Sequence, residues 1–347
     1  MKHLTKAIAL SAVLLAQSAA AQINLSAGTT AGGGPPGLSM LNLAEVAQAA
    51  GVANLQLQTG QTLTNVVQAV AEGRTDIGNA PLVLVFLLNH GRGPFSALGA
   101  ERGAELASNL RALYPYNLGA YSFYAFDSKR IEGWEGIAGH TLFNGPPQGG
   151  ALTGARQLVQ LITGMEESDG YQAMQVNWGQ AQGIILDGTV DAAIAPESHP
   201  SQRITAMQAA GQVTLFSAPQ EIWESEAFQR WANSPGNAPV TFEISQLGYG
   251  DNVNVVSEDN LWRSANITGA EVVNASMDFD TARALTAAYI DGLDAFRERT
   301  PFTPNMGLGE LDARLSGFCG PNPLRYHLGA IAAWEDAGYT VPDCARP

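Results

Sequence analysis

VAEGRTDIG, residues 70–78, and ILDGTVDAA, residues 185–193, repeat one pattern in two distant parts of the chain. In each copy a glycine, Gly73 or Gly188, stands three residues before an aspartate. Glycine readily adopts the left-handed backbone conformation that ends many helices, whereas other residues resist it. Each copy follows a segment with apolar residues at helical spacing, so the pattern predicts a helix that turns directly into a strand. The repetition indicates that two halves of the protein contain the same helix-to-strand unit.

Strands and helices alternate on both sides of these two units. The periodicity predicts strands at 23–27, 55–59, 141–143 and 171–176, and helices at 38–50, 62–72, 151–163, 179–186, 280–297 and 325–337. An aromatic-rich run at 120–126 suits a strand or a crossover between the halves. This alternation is typical of an α/β fold with mostly parallel sheets.

The N-terminal segment has the features of a secretory signal peptide. Lys2 and Lys6 precede an apolar run at 7–16, and small residues follow at 18–21. The apolar run is shorter than the roughly 20 residues that cross a bilayer. We therefore expect cleavage before Gln22 and a mature protein in the periplasm.

The length of the chain favours two domains, because 347 residues exceed what one hydrophobic core usually serves. After a signal peptide at 1–21, we expect a first lobe from 22–118 and a second lobe from 119–215. The region 216–347 is expected to return to the first lobe and to add C-terminal helices.

The charge of the chain is strongly negative, at 18 − 32 = −14, and loss of two lysines with the signal peptide makes it 16 − 32 = −16. Basic residues are few and scattered, so a phosphate backbone would be repelled. Nucleic acid is therefore excluded as a partner. The two cysteines, Cys319 and Cys344, can form a disulfide in an oxidising compartment, and two buried thiols are the alternative.

Three glycine-containing loops are candidates for ligand binding, at 28–34, 59–65 and 144–150. Each follows a predicted strand, and ligands of parallel α/β sheets collect where strands end and helices begin. Helix N-termini favour an anion such as a carboxylate, although glycines also serve simply to turn the chain. The candidate ligand-binding residues are Thr29, Thr30, Gly60, Gln61, Thr62, Asn65, Asn79, Asn144, Gln148, Gly149, Gly150 and Glu197.

Motifs for catalysis are missing from the sequence, so we expect neither an enzyme nor a cofactor. There is no Gly-x-Ser-x-Gly elbow and no His-Glu-x-x-His zinc helix. The glycines of GGGPPG at 32–37 match a dinucleotide fingerprint only formally, because no acidic residue follows at the spacing that holds a ribose. Glu197 and His199 could share a metal, but an exposed pair in a loop is the commoner arrangement. Trp134, Trp178 and Tyr249 could stack on a solute or could pack internally.

The order of several motifs resembles the TAXI family of substrate-binding subunits of TRAP transporters, over most of the mature chain. The similar segments are Gly28-Thr29 after the first strand, TGQTLTN at 59–65, EGRTD at 72–76, IAGH at 137–140 with the loop at 145–150, and HLGA at 327–330 followed by Glu335, Ala337 and Gly338.

The resemblance implies a periplasmic-binding-protein type II-like fold, with two α/β lobes and a ligand cleft between them. It also implies a receptor that captures a small organic acid or amino acid and docks on a TRAP membrane permease. The alternatives are the receptor of an ATP-driven (ABC) importer and a secreted enzyme on the same scaffold, which would need clustered titratable groups in the cleft.

Overall fold

The computed structural model describes residues 22–30, 32–147 and 150–347. The predicted signal peptide lies outside the described residues, as do the candidate ligand residues Gln148 and Gly149. No helix in the described ranges is both long enough and apolar enough to cross a bilayer.

The chain alternates strands and helices, and the predicted α/β class is confirmed. The first third contains β1 Ile23–Gly28, α1 Pro35–Ala49, β2 Ala53–Gln58, α2 Leu63–Ala71, β3 Ile77–Pro81, α3 Leu82–Asn89, α4 Gly99–Ser108 and the long strand β4 Leu110–Phe126.

The middle of the chain continues the alternation and adds further strands. It contains β5 Thr141–Phe143, α5 Gly150–Thr163, β6 Gln172–Met174, α6 Trp178–Leu186, β7 Ala192–Glu197, α7 Gln202–Ala210, β8 Val213–Phe216, α8 Gln220–Glu224, α9 Glu226–Ala232, β9 Asn237–Glu243, β10 Val253–Val256 and the long strand β11 Leu261–Asn274. The C-terminal part adds α10 Phe279–Asp291, α11 Leu293–Arg297, β12 Arg325–Tyr326 and α12 Leu328–Asp336.

The strands form a sheet whose order is β2-β1-β3-β11-β4-β7-β5-β6. At one end β2, β1 and β3 are parallel to one another, and at the other end β6, β5 and β7 are parallel. The two long strands, β11 and β4, pair with each other and with these two groups in antiparallel fashion. The sheet is therefore symmetric in its order. From either end it shows the second, first and third parallel strand of one group and then one of the two long strands, so the β4–β11 pair is in the centre.

The buried apolar side chains divide into cores on either side of one level of the β4–β11 pair. The first core includes Tyr116 on β4 and Ala270 on β11, whereas Ala120 and Ile267 belong to cores at the other end of the pair. We call residues 22–117 and 268–347 the first lobe, and residues 118–267 the second lobe.

The chain returns to the first lobe later than the sequence analysis places it. That analysis puts the return at residue 216, but Phe228 and Trp231 pack in the second lobe, where the Trp231 ring lies 5.6 Å from that of Tyr121. Strand β10 also pairs with β8 on the second lobe. This region is mostly polar and contains Pro and Gly, so its few large apolar residues did not suggest a core. The chain returns to the first lobe only after Ile267, along the pairing of β11 with β4.

The repeated sequence pattern has the same role in both lobes. Gly73 and Gly188 have φ values of 70° and 77°, as a left-handed helix exit requires. The carboxylate of Asp76 accepts the backbone N–H of Ser26 at 2.7 Å, and that of Asp191 accepts the N–H of Thr141 at 3.0 Å. Each aspartate thus ties the start of a new strand, β3 or β7, to the parallel strand beside it, β1 or β5.

A disulfide joins Cys319 to Cys344, whose Cα atoms are 5.6 Å apart, and it closes a segment of 25 residues at the C-terminus. The segment contains β12 and α12, which pack in the first core through Tyr326 and Trp334. The covalent link therefore restrains a region on which the first core depends.

Replacing both cysteines with serine should lower the free energy of unfolding by about 3 kcal/mol, because the open chain regains the loop-closure entropy that the disulfide removes. Urea denaturation followed by circular dichroism measures this loss. The double variant should be insensitive to reductant, whereas the native chain should lose the same stability when it is reduced. Equal midpoints for the oxidised and reduced native chain would contradict the prediction.

Candidate functional site

The carboxyl ends of the parallel strands in the two lobes face each other across the β4–β11 pair. Pro81 at the end of β3 is opposite Gly269, which pairs with Tyr116, and Glu197 at the end of β7 pairs with Ala120. The four residue steps from 116 to 120 separate these two ends by about 13 Å along β4. The loops that follow β1, β2, β3, β5, β6 and β7 therefore lie at the boundary between the lobes, which we call the cleft and treat as the candidate functional site.

On the first lobe, the loops after β1 and β2 are hydrogen-bonded together. The Thr29 N–H donates to the Gln58 carbonyl at 3.0 Å, and the Thr29 carbonyl accepts from the Gln61 N–H at 2.9 Å. The Thr29 hydroxyl is buried and has no hydrogen-bond partner among the described residues. Gly60, with φ 76°, makes the turn that this bridge needs, and Thr30 is partly buried beside it.

The predicted residues Gln61, Thr62 and Asn65 are exposed at the start of α2. Gln61 and Asn65 also line a pocket of about 330 Å³ together with Gln58, Gln68 and Arg74. This pocket lies entirely on the first lobe. Its lining is rich in amides.

The predicted residue Asn79 is fully buried and takes internal partners. Its amide donates to both carboxyl oxygens of Glu271, at 2.7 and 2.8 Å, and to the Tyr116 hydroxyl and the Pro36 carbonyl, both at 3.1 Å. Burial raises the pKa of Glu271 to about 8. The Glu271 side chain is therefore mostly neutral at pH 7, and Asn79 links it to the N-terminal turn of α1.

On the second lobe, Asn144 joins the loops after β5 and β6. Its amide donates to Glu167 at 2.9 Å, and its side-chain oxygen accepts from Gln175 at 2.9 Å. Gly150 begins α5, and its carbonyl accepts from the Tyr121 hydroxyl at 3.2 Å. Asn144 is buried, so its interactions position the loop.

The lobes touch at one side of the cleft. A Cβ atom at Gly236 would lie 2.5 Å from the backbone nitrogen of Val83, and one at Gly150 would lie 3.2 Å from a Val83 methyl group. Val83 is on the first lobe and both glycines are on the second, so glycine at these positions permits the close approach.

The predicted residue Glu197 lies at the centre of a buried polar cluster. Its carboxylate accepts hydrogen bonds from Tyr124 at 2.7 Å, Ser201 at 2.6 Å and the Arg203 Nε at 2.7 Å. Burial opposes the charged form of Arg203, but the adjacent Glu197 carboxylate outweighs it and raises the pKa of Arg203. The Arg203 guanidinium carbon also lies 5.1 Å from the centre of the Trp178 ring.

Ser122 and His199 form a hydrogen bond that resembles half of a catalytic triad. The Ser122 hydroxyl is 3.0 Å from His199 Nε2, and the Tyr249 hydroxyl is 2.7 Å from Nδ1, where a triad has a carboxylate. Burial lowers the pKa of His199 to about 3, and Ser122 is fully buried in β4. A substrate cannot reach this pair, so the arrangement is a structural network.

Metal binding by Glu197 and His199 finds no support in this geometry, because both ring nitrogens of His199 and both oxygens of Glu197 have protein partners. Among the residues with described positions, no group of three or more His, Cys, Asp or Glu side chains could hold a metal ion. Of the aromatic candidates, Trp134 is buried and donates to the Ser217 carbonyl at 2.8 Å, whereas Trp178 is 42% exposed.

Sequence analysis did not single out Arg203, although a signal was present. The residue lies in the first turn of α7, where a cation opposes the helix dipole. An arginine at such a position needs a nearby anion to compensate its charge. Basic residues are also few in this chain, at 18 in 347, so each one is a candidate for a specific role.

Comparison with known protein families gives a match over most of the chain. The model of the NMT1-like family matches residues 25–338. A search of curated proteins gives no match.

Three solved structures illustrate the structural similarity. The TRAP periplasmic solute binding protein from Ralstonia eutropha H16 with bound (S)-2-acetolactate aligns over 93% of this chain and 87% of its own, at 15% identity and a TM-score of 0.45. The TRAP periplasmic solute binding protein from Sulfitobacter sp. NAS-14.1 with bound β-D-galacturonate aligns over 91% and 92%, at 13% identity and a TM-score of 0.46. The aliphatic sulphonate binding protein SsuA from Escherichia coli aligns over 55% of this chain and 58% of its own length, at 14% identity and a TM-score of 0.39.

Replacing Glu271 with glutamine should flatten the dependence of stability on pH. The carboxyl group has a pKa of about 8 in the folded protein against 4.5 for an unperturbed glutamate, so the native chain loses stability as the pH rises from about 4.5 to 8. Relative to Glu271→Gln, the native chain should lose about 2 kcal/mol between pH 6 and pH 8. Urea denaturation at the two pH values measures the difference.

The matched control is Glu226→Gln, which removes the carboxylate of an exposed residue instead of a buried one. Parallel pH curves for the native chain and Glu271→Gln would show that Glu271 is ionised in the folded protein, contrary to expectation.

Proposed function

We infer a transport function for this chain, because it belongs to the NMT1-like family. We propose that the protein is an extracytoplasmic solute-binding receptor, which captures a small organic anion and delivers it to a membrane permease. The observation that carries the proposal is the facing arrangement of two α/β lobes, whose strand ends and helix N-termini meet across one cleft.

The central strands contain a point where the lobes can move relative to each other. Gly119 on β4 has φ 139°, and the pairing register of β11 shifts between Ile267 and Thr268. A β-bulge bends a strand and interrupts its ladder, so rotation here changes few hydrogen bonds. A solute that contacts both lobes binds the closed form more tightly and shifts the population toward it.

The chemistry of the cleft favours a carboxylate. Thr62 and Asn177 are the N-cap residues of α2 and α6, and neither side chain caps its own helix. Apart from the Gln180 N–H, which donates to the Asn177 carbonyl, the backbone N–H groups of both first turns have no side-chain cap and are proposed to bind an anion, which the helix dipoles also favour at this place. Corresponding helices of the two lobes thus offer the same kind of donor to one solute.

The proposed partner is the permease of a TRAP transporter, and the chain is proposed to be a subunit of the TAXI type. A TRAP permease uses an ion gradient, whereas an ABC importer uses ATP. Uptake by cells that contain the receptor and its permease should therefore stop when the ion gradient is collapsed while ATP is maintained. Uptake that continues under these conditions would favour the ABC alternative. A secreted enzyme is not favoured, because the Ser122–His199 pair is buried.

A carboxylate that binds in the cleft should raise the melting temperature, because it stabilises the folded state by about 3 kcal/mol at a concentration 100 times its dissociation constant. The test is thermal unfolding of the pure protein with benzoate, L-glutamate, pyruvate and galacturonate, each compared with its neutral amide or alcohol. Mass spectrometry of solute that is released from gently purified protein provides an independent identification. The absence of both a thermal shift and a released anion would refute the receptor function.

A further inference from the structure

Arg203 and Trp178 form a continuous surface on the second lobe, which we call the Arg203–Trp178 ledge. Arg203 is in the first turn of α7, and Trp178 is the first residue of α6. The guanidinium carbon lies 5.1 Å from the ring centre, within the range of a cation–π interaction. Both helices begin at the carboxyl edge of the β6, β5 and β7 strands, so the ledge lies at the cleft.

Buried groups of the second lobe hold the Arg203 guanidinium in place. Glu197 is 4% exposed, and its carboxylate accepts from Tyr124, Ser201 and the Arg203 Nε. The Arg203 Nη2 donates to the Pro196 carbonyl at 3.3 Å. The Arg203 side chain nevertheless remains 21% exposed, so the buried groups fix its guanidinium in a side chain that is still partly accessible.

Trp178 is exposed although tryptophan is usually buried in this chain. The side chains of Trp262 and Trp334 are fully buried, whereas Trp178 is 42% exposed. The ring of Trp178 lies beside Arg203 and meets the Phe143 ring edge-on, with ring centres 5.9 Å apart. Exposing so much of an indole ring costs free energy, which a bound molecule with an apolar surface would recover.

We propose that the Arg203–Trp178 ledge anchors the solute, with Arg203 binding its carboxylate and Trp178 covering a flat, apolar face of the same molecule. The inference rests on the proposed receptor function and specifies its ligand class as a carboxylate attached to a ring. A planar guanidinium fits a carboxylate through paired hydrogen bonds, and indole stacks well on a ring.

The experiment measures binding of benzoate and of its neutral analogue benzamide by isothermal titration calorimetry. Arg203→Gln alone would leave the buried Glu197 carboxylate without its cation, so the test uses the double variant Glu197→Gln/Arg203→Gln, in which both groups are neutral. Trp178→Ala removes the ring, and Trp178→Phe retains an aromatic face. Arg230→Gln removes a different, exposed ion pair of the second lobe and is the matched control.

The native protein should bind benzoate at least 10-fold more tightly than benzamide. The double variant, folded by circular dichroism, should bind benzoate at least 10-fold more weakly than the native protein and should no longer distinguish it from benzamide. Trp178→Ala should lose a similar factor for both probes, whereas Trp178→Phe and Arg230→Gln should remain within 3-fold of the native protein.

The other outcomes separate the ledge from the receptor function. Undiminished benzoate binding by the folded double variant would overturn the role of Arg203 and leave the receptor function intact. Binding of L-glutamate by the native protein without binding of benzoate would overturn the role of Trp178 as a platform for a ring. If the native protein binds none of the carboxylates in the thermal panel, the proposed function fails together with the ledge.

Discussion

The antiparallel pairing of β4 with β11 is the constraint on which the rest of the structure depends. These strands have 17 and 14 residues, and their ladder continues from one lobe into the other. Because they are antiparallel, the groups of parallel strands that they support run in opposite directions. The pairing register places the carboxyl ends of both groups, at Pro81 and Glu197, toward the middle of the ladder. The cleft between the lobes is a direct result of this pairing.

The sequence predicted the parts of the fold that depend on local interactions. The Gly-x-x-Asp pattern at Gly73 and Gly188 identified two equivalent helix exits, and both glycines have the expected left-handed conformation. Glycine is nearly the only residue that adopts this conformation at low cost, so the pattern has a clear physical meaning. The role of the aspartates required the structure, since the partners of Asp76 and Asp191 lie 50 residues earlier in each case.

Interactions between distant segments could not be predicted in this way. Asn79 and Glu197 follow the rule that polar residues near strand ends face ligands, but each takes buried partners. The partner of Asn79 is 192 residues away, and Tyr124 is 73 residues from Glu197. A single sequence does not show which distant group will neutralise a buried polar atom. The same reason explains why Arg203 was missed, since its position is set by Glu197 and Trp178 together.

The continuity of the second lobe has a consequence for the order in which the protein folds. Residues 118–267 form this lobe without interruption, whereas the first lobe joins both ends of the chain across contacts as distant as Asn79 and Glu271. Contacts that close a long loop form slowly, because the entropy of closure must be overcome before they gain stability. Until residues 269–273 of β11 have been synthesised, β3 lacks the antiparallel neighbour that pairs with it, so the sheet of the first lobe is completed late.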